Sequence, residues 1–286
     1  MAIDRVIVPR HRQVGTSEVD RLLPFHARRM VGPFIFADLI GPEQLAPGQG
    51  VDVPPHPHIG LATVTYLFDG SMVHRDSTGA VQTIEPGGVN WMAAGSGVAH
   101  SERTPDDARP VLSPLAGLQT WVALPDEGEE DEPSFQHVDA ADLPEVSDGG
   151  ASIRLLVGTG FGASSPVPGA SPLFHADVHV DAGARLPLPV EHEERAVLVV
   201  DGDVEVEGER IPPRHLAVVG PGDAVVRAVG RARIMTFGGA PVGRRHIWWN
   251  FVSSSPDRIE QAKADWSAGR FAPIPGEHDR VELPTS

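Results

Sequence analysis

Short runs of apolar and β-branched residues, separated by glycine and proline, dominate the chain. Examples are "LATVTYLF", "TWVAL", "RAVLVV", "HLAVVG" and "RARIMTF". These runs are too short for helices and are rich in residues that favour strands. The 31 glycines and 28 prolines supply turns between them. Many short strands closed by such turns predict an all-β sandwich or barrel.

Two parts of the chain repeat the same order of strands and turns. The segment "TYLFDGSMVHRDSTG", followed by "EPGGVNWM", has a counterpart in "VLVVDGDVEVEGE", followed by "GPGDAVVRA". Each copy contains a strand, an Asp-Gly turn, a second strand and a later Pro-Gly turn that enters another strand. The repeat predicts a duplicated β-barrel.

A chain of 286 residues is long enough for two domains, each with its own core. The polar, turn-prone segment 126–150 is the expected boundary, which gives an N-terminal domain of residues 1–135 and a C-terminal domain of residues 136–286. One helix is expected at about residues 255–268, with Ser255 as its cap and Gly269 after its end. The acidic run at 126–132, "DEGEEDE", is expected to be a solvated loop.

Charge and composition exclude several classes of function. The formal net charge is −16 and no long basic block is present, so direct nucleic-acid binding is not expected. The absence of cysteine excludes disulfides, thiolate metal sites and thiol nucleophiles. The charged first residues do not resemble a signal peptide, and no window approaches the ~18 apolar residues of a membrane span. We therefore expect a cytoplasmic protein with no membrane partner.

Two pairs of candidate metal ligands have the same spacing. His56 and His58 lie in "VPPHPHIG", and His100 and Glu102 lie in "GSGVAHSER". Residues two apart on a strand point to the same side, and the prolines near His56 favour an extended backbone. Two such pairs on neighbouring strands would converge on one point. Three imidazoles and a carboxylate suit Fe(II), Mn, Ni, Cu or Zn and leave positions open for a substrate.

Several longer motifs resemble the pirin family of the cupin superfamily. They are "HPHIGLATVTYLFDG", "HRDSTG", "PGGVNWMAAGSGVAHSE" and "GLQTWVALP", and "GPFIFADLIGP" and "RHIWWNFVSSS" extend the likeness over nearly the whole chain. The resemblance implies two tandem cupin (jelly-roll-like) β-barrels with a short C-terminal helix. It also implies one iron in the N-terminal barrel, with ligand positions that match His56, His58, His100 and Glu102.

The same resemblance implies two classes of function. One is an Fe(II)-dependent dioxygenase of the quercetin type, which takes O2 and a flavonol-like substrate, with Glu102 as ligand and general base. The other is a non-enzymatic, iron-binding regulatory protein, sensitive to redox state, that acts through protein partners. A cupin isomerase or hydrolase that uses the metal as a Lewis acid is a third possibility.

This sequence departs from the family pattern beside the first histidine pair. Many pirins read His-Pro-His-Arg-Gly-Phe-Glu-Thr, whereas Ile59 and Ala62 replace the arginine and the glutamate here. The replacement leaves the polarity of the pocket open. We interpret His74 as a structural or exposed residue, although its strand could also point it toward the cavity. Trp91, Met92, Gln119 and Trp121 are interpreted as core filling.

The second barrel is expected to hold no metal. Counting back from Gly202 by the distances that separate Gly70 from His56 and His58 reaches Leu188 and Val190, which are not ligands. His192, flanked by glutamates, is interpreted as part of a solvated loop.

Overall fold

A computed structural model describes residues 3–285 as a mostly β protein with one short helix near its C-terminus. The first strands are β1 (Ile3–Ile7), β2 (Arg10–Val14), β3 (Ser17–Leu23), β4 (Phe34–Leu45), β5 (Asp52–His58), β6 (Leu61–Asp69), β7 (Met72–Asp76), β8 (Val81–Ile84), β9 (Val89–Ala93), β10 (Val98–Arg103), β11 (Ser113–Ala123), β12 (Ser134–Val138) and β13 (Glu145–Asp148). They are followed by β14 (Ala151–Gly160), β15 (Ala163–Ser164), β16 (Leu173–Val180), β17 (Arg185–Pro187), β18 (Glu194–Asp201), β19 (Val204–Val206), β20 (Glu209–Ile211), β21 (Leu216–Val219), β22 (Val225–Ala228), β23 (Ala232–Gly239), β24 (His246–Trp248), β25 (Phe251–Ser253) and helix α1 (Pro256–Ser267).

The strand pairings repeat along the chain as the duplicated motifs predict. In the first copy β6 pairs with β9 and β11, and β10 pairs with β5 and β7. In the second copy β18 pairs with β21 and β23, and β22 pairs with β17 and β19. Each copy therefore has one larger sheet and one four-stranded sheet, β5-β10-β7-β8 or β17-β22-β19-β20. The prediction of a duplicated all-β barrel is confirmed.

The two Pro-Gly turns that the sequence comparison aligned do not occupy equivalent positions and differ by one strand. Pro86–Gly87 precedes β9, whereas Pro221–Gly222 precedes β22, and the pairings make β22 the counterpart of β10. The Asp-Gly turns at Gly70 and Gly202 do correspond, because they follow β6 and β18, which occupy equivalent places in the two larger sheets. Pro-Gly is a general turn signal and does not identify which turn of a barrel it closes.

Two compact units divide the chain, and neither is continuous in sequence. Unit 1 comprises Met1–His11, Asp20–Asp38 and Ala141–Val242, and unit 2 comprises Arg12–Val19, Leu39–Ala140 and Gly243–Ser286. The change of unit at residues 140–141 lies close to the boundary expected after residue 135. A single boundary does not account for the segments near the two ends of the chain that belong to the other unit, such as Asp20–Asp38 in unit 1 and Gly243–Ser286 in unit 2. The expected limits of the two domains remain a prediction.

Helix α1 begins and ends close to the expected residues but belongs to unit 2. Its buried face contains Ile259, Ala262 and Trp266, which pack in one apolar cluster with Ile59 and Phe251. Ser255 occupies the cap position with an extended backbone, yet its side chain makes no capping hydrogen bond. Burial of an apolar face, rather than the cap, therefore stabilises the helix. No helix within residues 3–285 is long and apolar enough to span a membrane.

A buried histidine lies in the core of unit 1. His175 on β16 is fully buried, and neither ring nitrogen has a hydrogen-bond partner among the described residues. Its ring packs in a T-shaped arrangement against each of Phe34 and Phe237, with ring centroids 5.6 and 5.5 Å away. Burial lowers the pKa of His175 from 6.5 to about 3, although the charge of Asp177 opposes the change. The folded protein therefore keeps this ring neutral.

Unfolding of unit 1 should depend on pH through His175. Below pH 6.5 His175 binds a proton in the unfolded chain, whereas in the folded chain it stays neutral down to about pH 3. The free energy of unfolding therefore decreases as the pH falls from 6.5 to about 3. His175→Leu should remove this dependence, which amounts to about 1.4 kcal/mol per pH unit. Urea unfolding followed by far-ultraviolet circular dichroism checks it, with His179→Leu, at an exposed site on the same strand, as control. Parallel pH profiles for wild type and His175→Leu would contradict the prediction.

Candidate metal centre

Strand β5 presents two histidines to the same side of its sheet. Pro54, Pro55 and Pro57 keep this strand extended and remove three backbone donors. The loss is tolerated because β5 is the end strand of the four-stranded sheet and pairs there with β10. His56 and His58 are both buried. The predicted extended conformation is thus present.

Antiparallel pairing brings the second candidate pair to the first. His100 on β10 lies directly opposite His56, and Val98 lies opposite His58. One ring nitrogen from each of His56, His58 and His100 lies within 4.8 Å of those of the other two. The structure therefore brings together three of the four residues that the sequence suggested as ligands.

Backbone carbonyls determine the protonation of two of these imidazoles. The Nδ1 of His56 lies 2.9 Å from the carbonyl oxygen of Pro54, and the Nδ1 of His58 lies 3.0 Å from that of Asn250. A carbonyl oxygen can only accept a hydrogen bond, so both Nδ1 atoms carry the proton. In a neutral ring the Nε2 atom then keeps its lone pair, which is the form that binds a metal.

Side chains determine the protonation of the third imidazole. His74 lies between His100 and Asp76, with its Nδ1 at 3.4 Å from the Nδ1 of His100 and its Nε2 at 3.0 Å from Asp76 Oδ2. Burial would raise the pKa of Asp76, but hydrogen bonds from His74 and Thr78 outweigh it and leave the pKa lowered. His74 is buried, so of the two interpretations, structural or exposed, the exposed one is wrong. Its position two residues from Asp76 on a strand is the signal that could have identified it.

The geometry of the three rings fits a cation. The Nε2 atoms of His58 and His100 are 3.1 Å apart, and both carry lone pairs when their Nδ1 atoms are protonated. Burial, followed by the proximity of the other rings, lowers the pKa of His58 and His100 well below 6.5, and burial lowers that of His56 to about 4. Neutral imidazoles with converging lone pairs repel one another, and a metal ion removes this repulsion.

Glu102 lies on the same face of β10 as His100 but outside the three-histidine group. Its carboxylate accepts a hydrogen bond of 3.3 Å from Gln119 Nε2, and Gln119 Oε1 accepts one of 2.8 Å from Thr65. Burial raises the pKa of Glu102, although the nearby His74 and the hydrogen bonds oppose the change. Gln119 therefore orients this carboxylate, a role that the interpretation as core filling missed.

A buried ion pair anchors the segment that carries the Asn250 carbonyl on both sides of that residue. Arg245 Nε lies 3.0 Å from Glu129 Oε1, and the guanidinium also donates to the carbonyl oxygen of Leu124. Glu129 accepts hydrogen bonds from the backbone and hydroxyl of Ser254, each of 2.7 Å. Glu129 is buried, so the acidic run is not wholly a solvated loop. Its contacts fix the segment that carries the acceptor of His58.

Residues near position 280 contact the outward face of β10 and the edge of β5. Glu277 accepts hydrogen bonds from Ser101 at 2.8 Å and from Arg103 at 3.0 and 2.6 Å. The backbone of Val281 donates to the carbonyl oxygen of Pro55 at 2.8 Å. These contacts restrain β10 on the face opposite the histidines and β5 along the edge that does not pair with β10.

The two departures from the family pattern do not add a charged group to the site. Ile59 follows His58 and packs with Phe251, Ile259 and Trp266 beneath helix α1. Ala62 is buried between β9 and β11, opposite Ala93 and Val122. The change from arginine to isoleucine therefore serves the packing of α1.

The corresponding positions of unit 1 carry apolar side chains. Counted from the Asp-Gly turns, Leu188 and Val206 stand where unit 2 has His56 and His74. The strand pairings then place Ala224 and Val226 at the positions of His100 and Glu102, because Leu188 bonds to Ala224 and Val226 lies opposite Val206. All four belong to the core of unit 1. His192 is buried and lies 2.7 Å from the carbonyl oxygen of Thr159, so its interpretation as a solvated loop is wrong.

These features define a bicupin with a three-histidine group in one barrel. The Pirin model matches residues 16–122 and the Pirin C-terminal cupin domain model matches residues 175–272. A pirin-like protein of Caulobacter vibrioides is 52% identical over 273 residues, which cover 94% of either chain. The chain belongs to the pirin family.

Two further relatives carry the name of an enzyme. A Pseudomonas aeruginosa protein, named as a candidate quercetin 2,3-dioxygenase, is 40% identical over 94% of this chain and 84% of its own. The crystal structure of a quercetin 2,3-dioxygenase from Acinetobacter baumannii has a TM-score of 0.91 and 32% identity, and the match covers 99% of this chain and 95% of that one.

Replacement of a single histidine should remove the metal. His56→Ala and His100→Ala should each abolish stoichiometric binding, because the loss of one ligand leaves a weak and poorly oriented set. Circular dichroism should change little, since the apolar core does not depend on the ion. Elemental analysis of protein purified from its own host checks this, with His137→Ala as control. A full equivalent of metal in either variant would sink the assignment.

Unit 1 should contain no metal. Anomalous diffraction from crystals of the metal-loaded protein, collected at the iron edge, should show a single peak beside His56, His58 and His100. A second peak of full occupancy near Leu188 or His192 would contradict the expectation.

Proposed function

We propose that the protein is a mononuclear iron(II)-dependent dioxygenase of the quercetin (flavonol) 2,3-dioxygenase type. The observation that carries the proposal is the convergence of ring nitrogens from three buried, neutral imidazoles, with the half-buried carboxylate of Glu102 on the same face of β10 as His100. The relatives that bear this enzyme's name support the substrate class. His56, His58 and His100 would hold one ion per chain, and Mn, Ni, Cu or Zn could take its place.

Glu102 is the proposed fourth ligand and proton acceptor. When bound, iron would supply Lewis-acid and redox chemistry toward a flavonol oxygen and O2. The carboxylate of Glu102, oriented by Gln119, would take the proton of the substrate hydroxyl. Because burial raises its pKa, the carboxylate is a stronger base than an exposed glutamate.

The surrounding side chains would exclude water from the reaction. Trp121 is buried, and its ring meets that of His58 edge-on at a centroid distance of 5.0 Å. The buried state of the three histidines indicates a dry site, in which charges and dipoles act more strongly than in water.

The alternative function is iron-dependent regulation through a protein partner, and the name of the Caulobacter vibrioides relative specifies no enzyme. In this case the oxidation state of the metal would alter a surface that a partner binds. We keep the cytoplasm as the proposed location for either function.

Oxygen uptake distinguishes the two functions. Protein loaded with Fe(II) should consume O2 in the presence of quercetin or another flavonol, and His100→Ala should not. No uptake with any flavonol, together with a partner retained only by the metal-loaded protein, would favour regulation. Product formed in the absence of oxygen would instead indicate an isomerase or hydrolase.

Glu102→Gln should separate metal binding from turnover. Glutamine can offer an oxygen to the ion, yet it cannot take a proton near neutral pH. We expect a folded variant that keeps part of its metal and loses roughly 10²-fold or more of its flavonol turnover. Metal analysis and oxygen uptake measure the two effects, with the exposed Glu85→Gln as control. Undiminished turnover would remove Glu102 from the role of base.

A further inference from the structure

A buried pair of side chains, His74 and Asp76, lies behind His100. His74 lies opposite Glu102 on the neighbouring strand, and Asp76 lies opposite His100. The ring of His74 stacks on Phe135 with a centroid distance of 4.5 Å and an angle of 20° between the planes, which limits its rotation. His74 is not part of the three-histidine group, because its Nδ1 faces the far side of the His100 ring.

The hydrogen bonds of Asp76 determine which atoms donate and which accept along the series Asp76, His74 and His100. Its Oδ1 accepts from the backbone and hydroxyl of Thr78, at 2.8 and 2.6 Å, and from the backbone of Ala80 at 3.1 Å. Its Oδ2 accepts from His74 Nε2. A neutral His74 protonated at Nε2 has an Nδ1 that can only accept. His100 must then donate from Nδ1, and its Nε2 keeps the lone pair.

We propose that Asp76 and His74 are positioning residues that fix the tautomer and the ring orientation of His100. The inference rests on the metal site proposed above. Backbone carbonyls perform this task for His56 and His58, whereas His100 depends on two side chains. Carboxylates and carbonyls that hold metal-binding imidazoles in this way raise metal affinity.

The second barrel supports the inference by its sequence. Counted from the Asp-Gly turns, Val206 occupies the position of His74 and Gly208 that of Asp76. The barrel with apolar side chains at the ligand positions thus also lacks the positioning pair. The joint absence of the ligands and the pair is the pattern expected if the pair serves His100.

Asp76→Asn is the most direct test, because asparagine has the shape of aspartate but would donate to His74 where aspartate accepts. Three donors face Oδ1, so the amide oxygen of asparagine must stay there and its nitrogen must replace Oδ2. This nitrogen would donate to His74 Nε2 and shift the His74 proton to Nδ1, where it would face the proton of His100. An asparagine in place of the aspartate partner of a histidine produces the wrong tautomer in this way in serine proteases.

Two substitutions of His74 complete the set. His74→Phe keeps the contact with Phe135 but removes both ring nitrogens. His74→Gln restores an amide that can accept from His100 and donate to Asp76. The control pair is His137 and Asp139, which has the same spacing, lies 3.0 Å apart and is partly exposed. Asp139→Asn and His137→Phe therefore repeat the chemical changes away from the site.

Metal affinity is the first measurement, made by competition with a chelator for Ni(II) and Zn(II). Asp76→Asn and His74→Phe should bind about 10- to 100-fold more weakly than wild type. His74→Gln should recover part of the loss, and the control variants should match wild type. Affinities of Asp76→Asn and His74→Phe within twofold of wild type would overturn the inference.

Histidine ring NMR is the second measurement and requires no bound metal. In chelator-treated protein labelled with 15N, wild type should show His74 protonated at Nε2 and His100 at Nδ1, and Asp76→Asn should show His74 protonated at Nδ1. A wild type that binds no metal would refute the proposed function, and these spectra would then decide the inference. If Asp76→Asn fails to fold, the affinity difference between His74→Gln and His74→Phe decides it, and equal affinities would refute it.

Discussion

The pairing of β5 with β10 is the constraint on which the candidate site depends. Hydrogen bonds between these strands place His56 opposite His100, and alternation along β5 adds His58 to the same face. The register shifts between His100 and Glu102, so that Glu102 lies opposite Val53. Such a bulge bends a strand and increases its twist, which gives a physical reason why Glu102 lies outside the three-histidine group.

Burial gives the three imidazoles their chemical character. Removal from water makes a charged ring costly, so each histidine is neutral, and each Nδ1 atom has an acceptor of its own. The lone pairs of the opposite ring nitrogens therefore point toward one another. The three imidazoles are uncharged, but their lone pairs converge on one point. Binding a small cation there is therefore more favourable than hydration of the group by water. The same neutral surroundings explain why the carboxyl of Glu102 holds its proton more firmly.

The sequence was sufficient for features that depend on strand alternation, and insufficient for those that depend on tertiary contacts. His56, His58 and His100 were predictable because the spacing of two residues survives in any strand. His74 could have been found by the same rule. The carbonyl of Asn250 could not, because every residue has a carbonyl and only folding selects one. The burial of Glu129 likewise follows from an arginine 116 positions away, Arg245, and not from its acidic neighbours.

The dependence of His58 on Asn250 has a consequence for biosynthesis. The two residues are separated by 192 positions, and the contacts of Glu277 and Val281 with the ligand strands lie still later in the chain. A nascent chain that has emerged only through β11 already carries all three histidines. It lacks the carbonyl that pairs with His58 and the residues that contact the outward face of β10 and the edge of β5. Domains usually fold from the N-terminus as they emerge. This barrel includes contacts from residues as late as Val281, so its ligands reach their final arrangement only after that segment has been synthesised.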